Sequence, residues 1–296
     1  MESLAIIAEF NPFHTGHARL IRQVRQAAGP EAAIVIIMSG AFVQRGEPAF
    51  FDKWHRAAWA IDGGADVVIE LPAVYALSSA AGFAQGGVTL AARLGCQALA
   101  CGVEGGTAAD FLSLARRSEG LTACLKAAKK SSAGQQLTDA LMAAAPDEAR
   151  LLQQPNALLA FEYARAMLKQ EQPLTFLPLP RQGRHGDTGL GAAFASASAL
   201  RQAMRCSGTA AACRPYLTAA SLAGAEDQLA QGAFTDYGRY GDFVASHNRL
   251  LTPDQLRSLP AFTEGLENRW HRAFMESGSY DQALRSMCRP LGLHIV

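Results

Sequence analysis

Three things are scarce in this sequence. Its six cysteines stand apart at Cys96, Cys101, Cys124, Cys206, Cys213 and Cys288, with no C-x-x-C pair and no histidine at zinc-finger spacing. That pattern excludes a disulfide framework and a zinc module, and it fits reduced thiols. An excess of one charge is missing too: 27 basic residues face 26 acidic ones. The balance excludes a general drive toward nucleic acid or membrane, and leaves room for a local basic face. Long apolar runs are the third absence. The longest aliphatic stretch, residues 32–38, falls far below the roughly 20 residues that a membrane span needs. The opening text MESLAIIAEFN lacks a basic n-region, and its apolar run is too short for a signal peptide. The expectation is a soluble cytoplasmic protein with no membrane partner.

What is present is apolar and regularly ordered. The chain is 49% hydrophobic and 18% charged over 296 residues, enough for a sizeable core and for two domains. In the first hundred residues, unalternating apolar runs at 4–8, 32–40, 65–72 and 96–104 are each followed by a helical pattern: 18–28, 51–64, 78–95 and the Ala-rich text from 107. Such strands imply a parallel sheet covered on both faces, an α/β fold with ligands bound beyond the strands' carboxyl ends. A fifth strand is expected at 174–179, then a glycine-rich polar loop at 180–194 and an N-capped helix from 196. From about 205 the text is helical. The expected domains are residues 1–204 and 205–296.

The stretch EFNPFHTGH follows the first strand and opens a helix. At that place backbone N–H groups and the helix dipole favour an anion. Gly16 lets the backbone approach a phosphate. His14 and His17, three residues apart, share one helix face. Imidazoles there donate hydrogen bonds to phosphate oxygens, and their charge rises as phosphates bind. A bare helix cap or an HxxH metal fragment is the plainer alternative; with only two ligands nearby, no metal site is expected.

The HxGH signature after strand one resembles the nucleotidyltransferase superfamily, whose Rossmann-like domains form adenylates from ATP. The text around it is more specific. AEFNPFHTGH, MSGAFVQRGEPAFFDKWHRA, GGADVVIELP, LGCQALACGVE, QPNALLAFEYARAM and FTEGLENR run in order through most of residues 1–270 and resemble the bacterial tRNA(Met) cytidine acetate ligase family. The resemblance implies an ATP-dependent ligase that makes acetyl-adenylate from acetate, releases pyrophosphate, and acetylates N4 of the wobble cytidine of elongator tRNA(Met). ATP, with Mg²⁺, would be its cofactor; tRNA(Met) and acetate would be its partners. Two other readings keep the ATP site: an adenylyltransferase acting on a small molecule, and a nucleotide- or tRNA-binding relic.

By the same resemblance His14 and His17 are catalytic. ATP would lie against Ile7, Ala8, Glu9, Phe10, Asn11, Pro12, Phe13, His14, Thr15, Gly16, His17, Ala18, Arg19 and Leu20, with Gly102, Asn156 and Arg181 completing the site. Taken singly these read more blandly: Gly102 as a turn, Asn156 as a helix cap, Arg181 as a solvated loop charge. The text ASASALR resembles the superfamily's second phosphate signature, so Ser196, Ser198 and Arg201 are candidate phosphate contacts, with capping as the alternative for the serines. The loop at 39–54 carries Gln44, Arg45, Glu47, Asp52 and Lys53; Gln44, Arg45 and Lys53 are candidate loop or tRNA contacts, and an Arg45–Glu47 salt bridge is the simpler reading. His185 and Asp187 lie in the later glycine-rich loop. Family members carry a further basic, aromatic segment near the C-terminus that this text does not show, so the C-terminal region is expected to be short relative to the family.

Overall fold

The computed structural model describes residues 2–44, 46–124, 133–181, 190, 195–259, 262 and 265–288. Arg45, His185 and Asp187 lie outside them, as does most of the 180–194 loop. Five parallel strands form one sheet: β1 (Ser3–Ala8), β2 (Ala33–Ser39), β3 (Val67–Leu71), β4 (Ala98–Val103) and β5 (Thr175–Pro180). Their order is β3-β2-β1-β4-β5. The chain winds outward from β1 to one edge, returns, and continues from β4 to the other, which makes the expected doubly wound α/β sheet. The switch point lies between the carboxyl ends of β1 and β4, where such sheets bind ligands.

Burial explains the order. Leu4, Ala5 and Ile6 of β1 and Ile34, Ile36 and Ile37 of β2 are fully buried, as central strands require. β3 is an edge strand with Val67 exposed. β5, the other edge, carries Pro178 and Pro180, tolerated there because an edge strand can spare a ladder donor. One face of the sheet packs on the helices Ala80–Arg93, Ala108–Cys124 and Pro155–Met167 through Val88, Phe83, Leu114, Phe111, Ala160 and Phe161. Helix α1 (Thr15–Ala28) follows β1 and buries Ala18, Ile21 and Val24. Helix α2 (Lys53–Asp62) is N-capped by Asp52, whose Oδ1 accepts from the amides of Trp54 at 2.7 Å and His55 at 3.0 Å.

The compact units divide at Phe234: Met1–Phe234 and Thr235–Val296. The first reaches beyond the boundary expected at residue 204, because the helix Ala219–Ala230 packs on α2, with Gly224 against the Trp59 indole. The second holds helices Tyr237–Leu250, Pro253–Arg257, Leu266–Glu276 and Tyr280–Cys288 around Ala245, Ala273, Phe274, Ala283 and Met287. No helix among the described residues is long and apolar enough to cross a membrane. Cys96, Cys101, Cys206 and Cys213 are free thiols.

A charged side chain lies fully inside the first unit. Arg56 of α2 is fully buried with Trp59 and Ala60 on the helix's inner face. Its Nε donates to the carbonyl of Phe51 at 3.0 Å, and its terminal nitrogens donate to the carbonyls of Glu9, Ser39 and Gly40. These are the points where β1 and β2 leave the sheet. Arg56→Gln is expected to cost about 3 kcal/mol, since buried carbonyls lose their donors. A urea midpoint equal to that of the parent would refute the clamp.

Candidate active site

Helix α1 is capped by histidines. His14 is the N-cap, with extended backbone angles (φ −144°, ψ 172°), and its Nδ1 accepts from the Gly16 amide at 3.0 Å. In return the His14 amide donates to Nδ1 of His17 at 3.3 Å. The pair is thus a capping box built from imidazoles. It also explains why the helix starts three residues before its expected beginning, since histidine is not one of the usual cap residues. The rings stack at 3.7 Å between centroids, and Phe10 closes on His17 at 4.7 Å. Gly16 has a reason beyond the one its motif suggests: a Cβ there would stand 2.8 Å from Cε1 of His14.

The cap decides the chemistry of the rings. An Nδ1 that accepts carries no proton, so each neutral ring carries its proton on Nε2. Nε2 of His14 is buried and has no hydrogen-bond partner among the described residues. Burial, and secondarily the nearby Arg181 guanidinium, pushes His14 down to about 3. His17 lies well below its ordinary value, first from loss of water around the ring, then from His14 and Arg181. At neutral pH both are uncharged N–H donors that an arriving anion would drive toward protonation.

The loop before α1 is held from three sides. Phe10 takes a left-handed φ of 49°, costly for a residue with a side chain, and is fixed by burial and by an edge-on contact with Phe13 at 5.0 Å. The Asn11–Pro12 peptide is cis. Oδ1 of Asn11 accepts from the Phe50 amide at 2.8 Å, while its Nδ2 is buried without a partner among the described residues. Oε1 of Glu9 accepts from the Gln44 amide at 2.9 Å. Of the expected ATP stretch, Ile7, Phe10, Asn11, Pro12, Phe13, His14 and Ala18 are buried; Ala8, Glu9, His17, Arg19 and Leu20 are half-buried; Thr15 and Gly16 are exposed.

The second signature meets the first through the protein itself. Arg201 donates to the Asn11 carbonyl at 2.6 Å and pairs with Glu47 at 3.1 Å. Ser196 caps its helix by accepting from the Ala199 amide at 3.0 Å, and Ser198 is half-buried. Glu47 belongs to a small hairpin closed by the Phe42–Pro48 bridge and turned at Gly46 (φ +80°), so it reaches Arg201, 154 residues away. Lys53 pairs with Glu70 at 2.6 Å and lies over the exposed Trp54 ring.

At the carboxyl ends of β4 and β5 stands a third group. Arg181 donates to Oδ1 of Asn156 at 3.3 Å, and Nδ2 of Asn156 donates to Oε1 of Glu104. Gly102 is not required by the protein's own packing: a Cβ there would touch Cβ of Arg181 at 3.8 Å and Leu20 at 3.9 Å, ordinary contacts. The structure therefore joins Asn156 and Arg181, brings Arg181 within electrostatic reach of both histidines, and sets Gly102 beside them. Sequence reasoning missed Glu104 and Arg56. The available signals were an acidic residue ending an apolar strand, and an arginine at the i, i+3, i+4 spacing of a buried helix face.

A family model described as HIGH Nucleotidyl Transferase matches residues 1–289. The chain is 35% identical over 291 residues to a tRNA(Met) cytidine acetate ligase of Pediococcus pentosaceus, covering 97% of this chain and 74% of that one. It is 36% identical over 293 residues to the protein of the same name from Latilactobacillus sakei, covering 97% and 72%. Among solved structures, Thermotoga maritima TmcAL superposes with a TM-score of 0.89 at 29% identity, over 98% of this chain and 72% of that one. TmcAL bound with alpha-thio ATP gives 0.87 at 31%, over 98% and 71%.

The histidine shifts predict an acid sensitivity. The unfolded chain protonates these rings near pH 6.5, the folded chain only far lower, so below that value the unfolded state binds more protons. Stability should therefore fall as pH drops from 6.5 toward 4. His14→Asn, which keeps a capping oxygen and removes the titration, should reduce the slope of melting temperature against pH. An imidazole resonance of His14 that titrates near 6.5 would refute the assignment.

Proposed function

The chain belongs to the tRNA(Met) cytidine acetate ligase family, and on that premise we propose that its His14–His17 site activates acetate with ATP and acetylates N4 of the wobble cytidine of elongator tRNA(Met). The observation that carries this reading is the buried Nε2 of His14, without a partner among the described residues, at the N-terminus of α1, on the switch point of the sheet. A buried donor at a helix N-terminus calls for an anionic acceptor.

An acetate oxygen attacks the α-phosphorus of ATP. The bond from that phosphorus to its bridging oxygen breaks, and pyrophosphate leaves with the electron pair. The N4 amine of cytidine then attacks the acetyl carbonyl carbon; AMP departs with the pair of the broken C–O bond, and the amine gives up one proton. His14 and His17 donate from Nε2 to phosphate oxygens as negative charge shifts toward pyrophosphate. They start neutral, so their attraction for the phosphates grows as charge develops, which favours the transition state over bound ATP. The Gly16 amide stays committed to His14, and Arg181 adds the fixed cation. Ser198 and Arg201 are assigned to the pyrophosphate end, where Arg201 would exchange Glu47 for phosphate. No group of three or more His, Cys, Asp or Glu among the described residues could hold a metal; Mg²⁺ fits as a companion of the phosphates, where it would neutralise their charge. The hairpin with Gln44, and Lys53 beside the 74% exposed Trp54, forms the rim assigned to RNA, since an open indole offers an unpaired base a stacking surface. The ATP chemistry belongs to the Met1–Phe234 unit, and a cytoplasmic setting follows from a tRNA substrate.

The test is pyrophosphate release from ATP and Mg²⁺, with and without acetate, followed by transfer of labelled acetate to elongator tRNA(Met). Release that depends on acetate and label on the tRNA are expected. His14→Ala or His17→Ala should slow adenylation about 10²-fold or more, roughly 3 kcal/mol of lost transition-state stabilisation. Parent-like rates in both variants would remove the histidines from the mechanism, and release without acetate dependence would point to another acceptor.

A further inference from the structure

Glu104 follows the last residue of β4, two positions after Gly102, and its two oxygens are in different states. Oε1 accepts from Nδ2 of Asn156. Oε2 is buried and has no partner among the described residues. Asn156 is engaged on both sides, since its Oδ1 accepts from Arg181 at 3.3 Å. The amide thus works as an adaptor that fixes the carboxylate in place. A carboxylate oxygen removed from water without a donor is unfavourable, so the site is built for a ligand that brings one. Gly102 points the same way, because the protein's own atoms leave room for a Cβ there.

The chemistry narrows the donor. The triphosphate and acetate only accept hydrogen bonds, and a carboxylate repels them. The donors on ATP lie on its nucleoside half: the 2′- and 3′-hydroxyls of ribose and the 6-amino group of adenine. We propose that Glu104 is a specificity-determining residue of this site, accepting through Oε2 a hydrogen bond from the nucleoside of ATP, with Asn156 and Arg181 as the positioning residues that aim it. The inference rests on the reading of the site as an ATP site. It divides the ligand between the two sides of the switch point. The neutral imidazole donors of α1 take the phosphates, and the acceptor at the end of β4 takes the nucleoside.

The experiment is equilibrium binding by titration calorimetry, with Mg²⁺, of ATP, 2′-deoxy-ATP, 3′-deoxy-ATP and purine riboside triphosphate to the parent and to Glu104→Gln. The parent should bind the analogue that lacks the relevant donor about 10- to 100-fold more weakly than ATP, as expected for a hydrogen bond to a charged group. Which analogue fails identifies the hydroxyl or the amine. Glu104→Gln presents a donor or a neutral acceptor, so it should lose a similar factor for ATP and no longer discriminate that analogue. Glu104→Ala, with its fold checked by melting, should lose the same discrimination. Equal binding of all four nucleotides by the parent overturns the proposal. So does a Gln variant that keeps the parental preference, which would leave the cytidine amine of the RNA as the donor, or one that changes only the Mg²⁺ requirement. A parent that binds no ATP removes the ATP-site reading as well. ATP binding without acetate-dependent pyrophosphate release would remove only the acetate reading, and the nucleotide preference would still decide the role of Glu104.

Discussion

The site depends on one buried cation. Where β1 and β2 leave the sheet, their last carbonyls lose the ladder partners that parallel pairing supplied. Arg56 meets them from within, donating to Glu9, Ser39 and Gly40 and to Phe51 of the next loop. A guanidinium suits this task because it presents several donors in one plane. Its helix is set in turn by Asp52 at the N-cap, so a surface carboxylate and a buried arginine four residues apart fix the same junction. With Glu9 fixed, its carboxylate can hold the Gln44 amide, and with the Phe51 carbonyl fixed, the Phe50 amide can hold Asn11.

The two histidines commit one ring nitrogen each to structure and leave the other for the proposed chemistry. Nδ1 of each closes the start of α1, which a serine or aspartate could have done alone. An imidazole adds a second nitrogen on the far side of the ring. The cap dictates that this nitrogen carries the proton, and burial keeps the ring neutral. Gly16 then serves both roles, clearing space for the His14 ring and leaving its surroundings open. A single substitution here would disturb local folding and chemistry together, which is why a capping replacement such as asparagine is informative.

Legibility differed from element to element. The strands were readable because buried parallel strands are continuous apolar runs, and β1 to β5 lie within a few residues of the runs in the sequence. The start of α1 was marked by the HxGH text rather than by the helix's apolar pattern, which begins only at Ala18, and the reciprocal imidazole cap itself carries no familiar sign. The HxGH text, with the collinear segments around it, pointed to the family that the comparisons show, and the structure places it just beyond the carboxyl end of β1. Arg201, a candidate phosphate contact by its motif, holds the Asn11 carbonyl and Glu47 in the structure, a pairing with no trace in local sequence. Lys53 likewise pairs with Glu70 across to β3.

The sequence by itself determined what depends on neighbours along the chain: the alternation of strands and helices, the α/β class, the two histidines at spacing three, and a proline-bearing fifth strand. Tertiary structure decided the partnerships. Asn156 and Glu104 are 52 residues apart, Arg181 and Asn156 are 25 apart, and Arg201 and Asn11 are 190 apart. The physical reason is that periodicity and capping are local and leave a pattern in the text. A long-range hydrogen bond needs only a donor and an acceptor brought within about 3 Å, and only the order of the strands determines which ones meet.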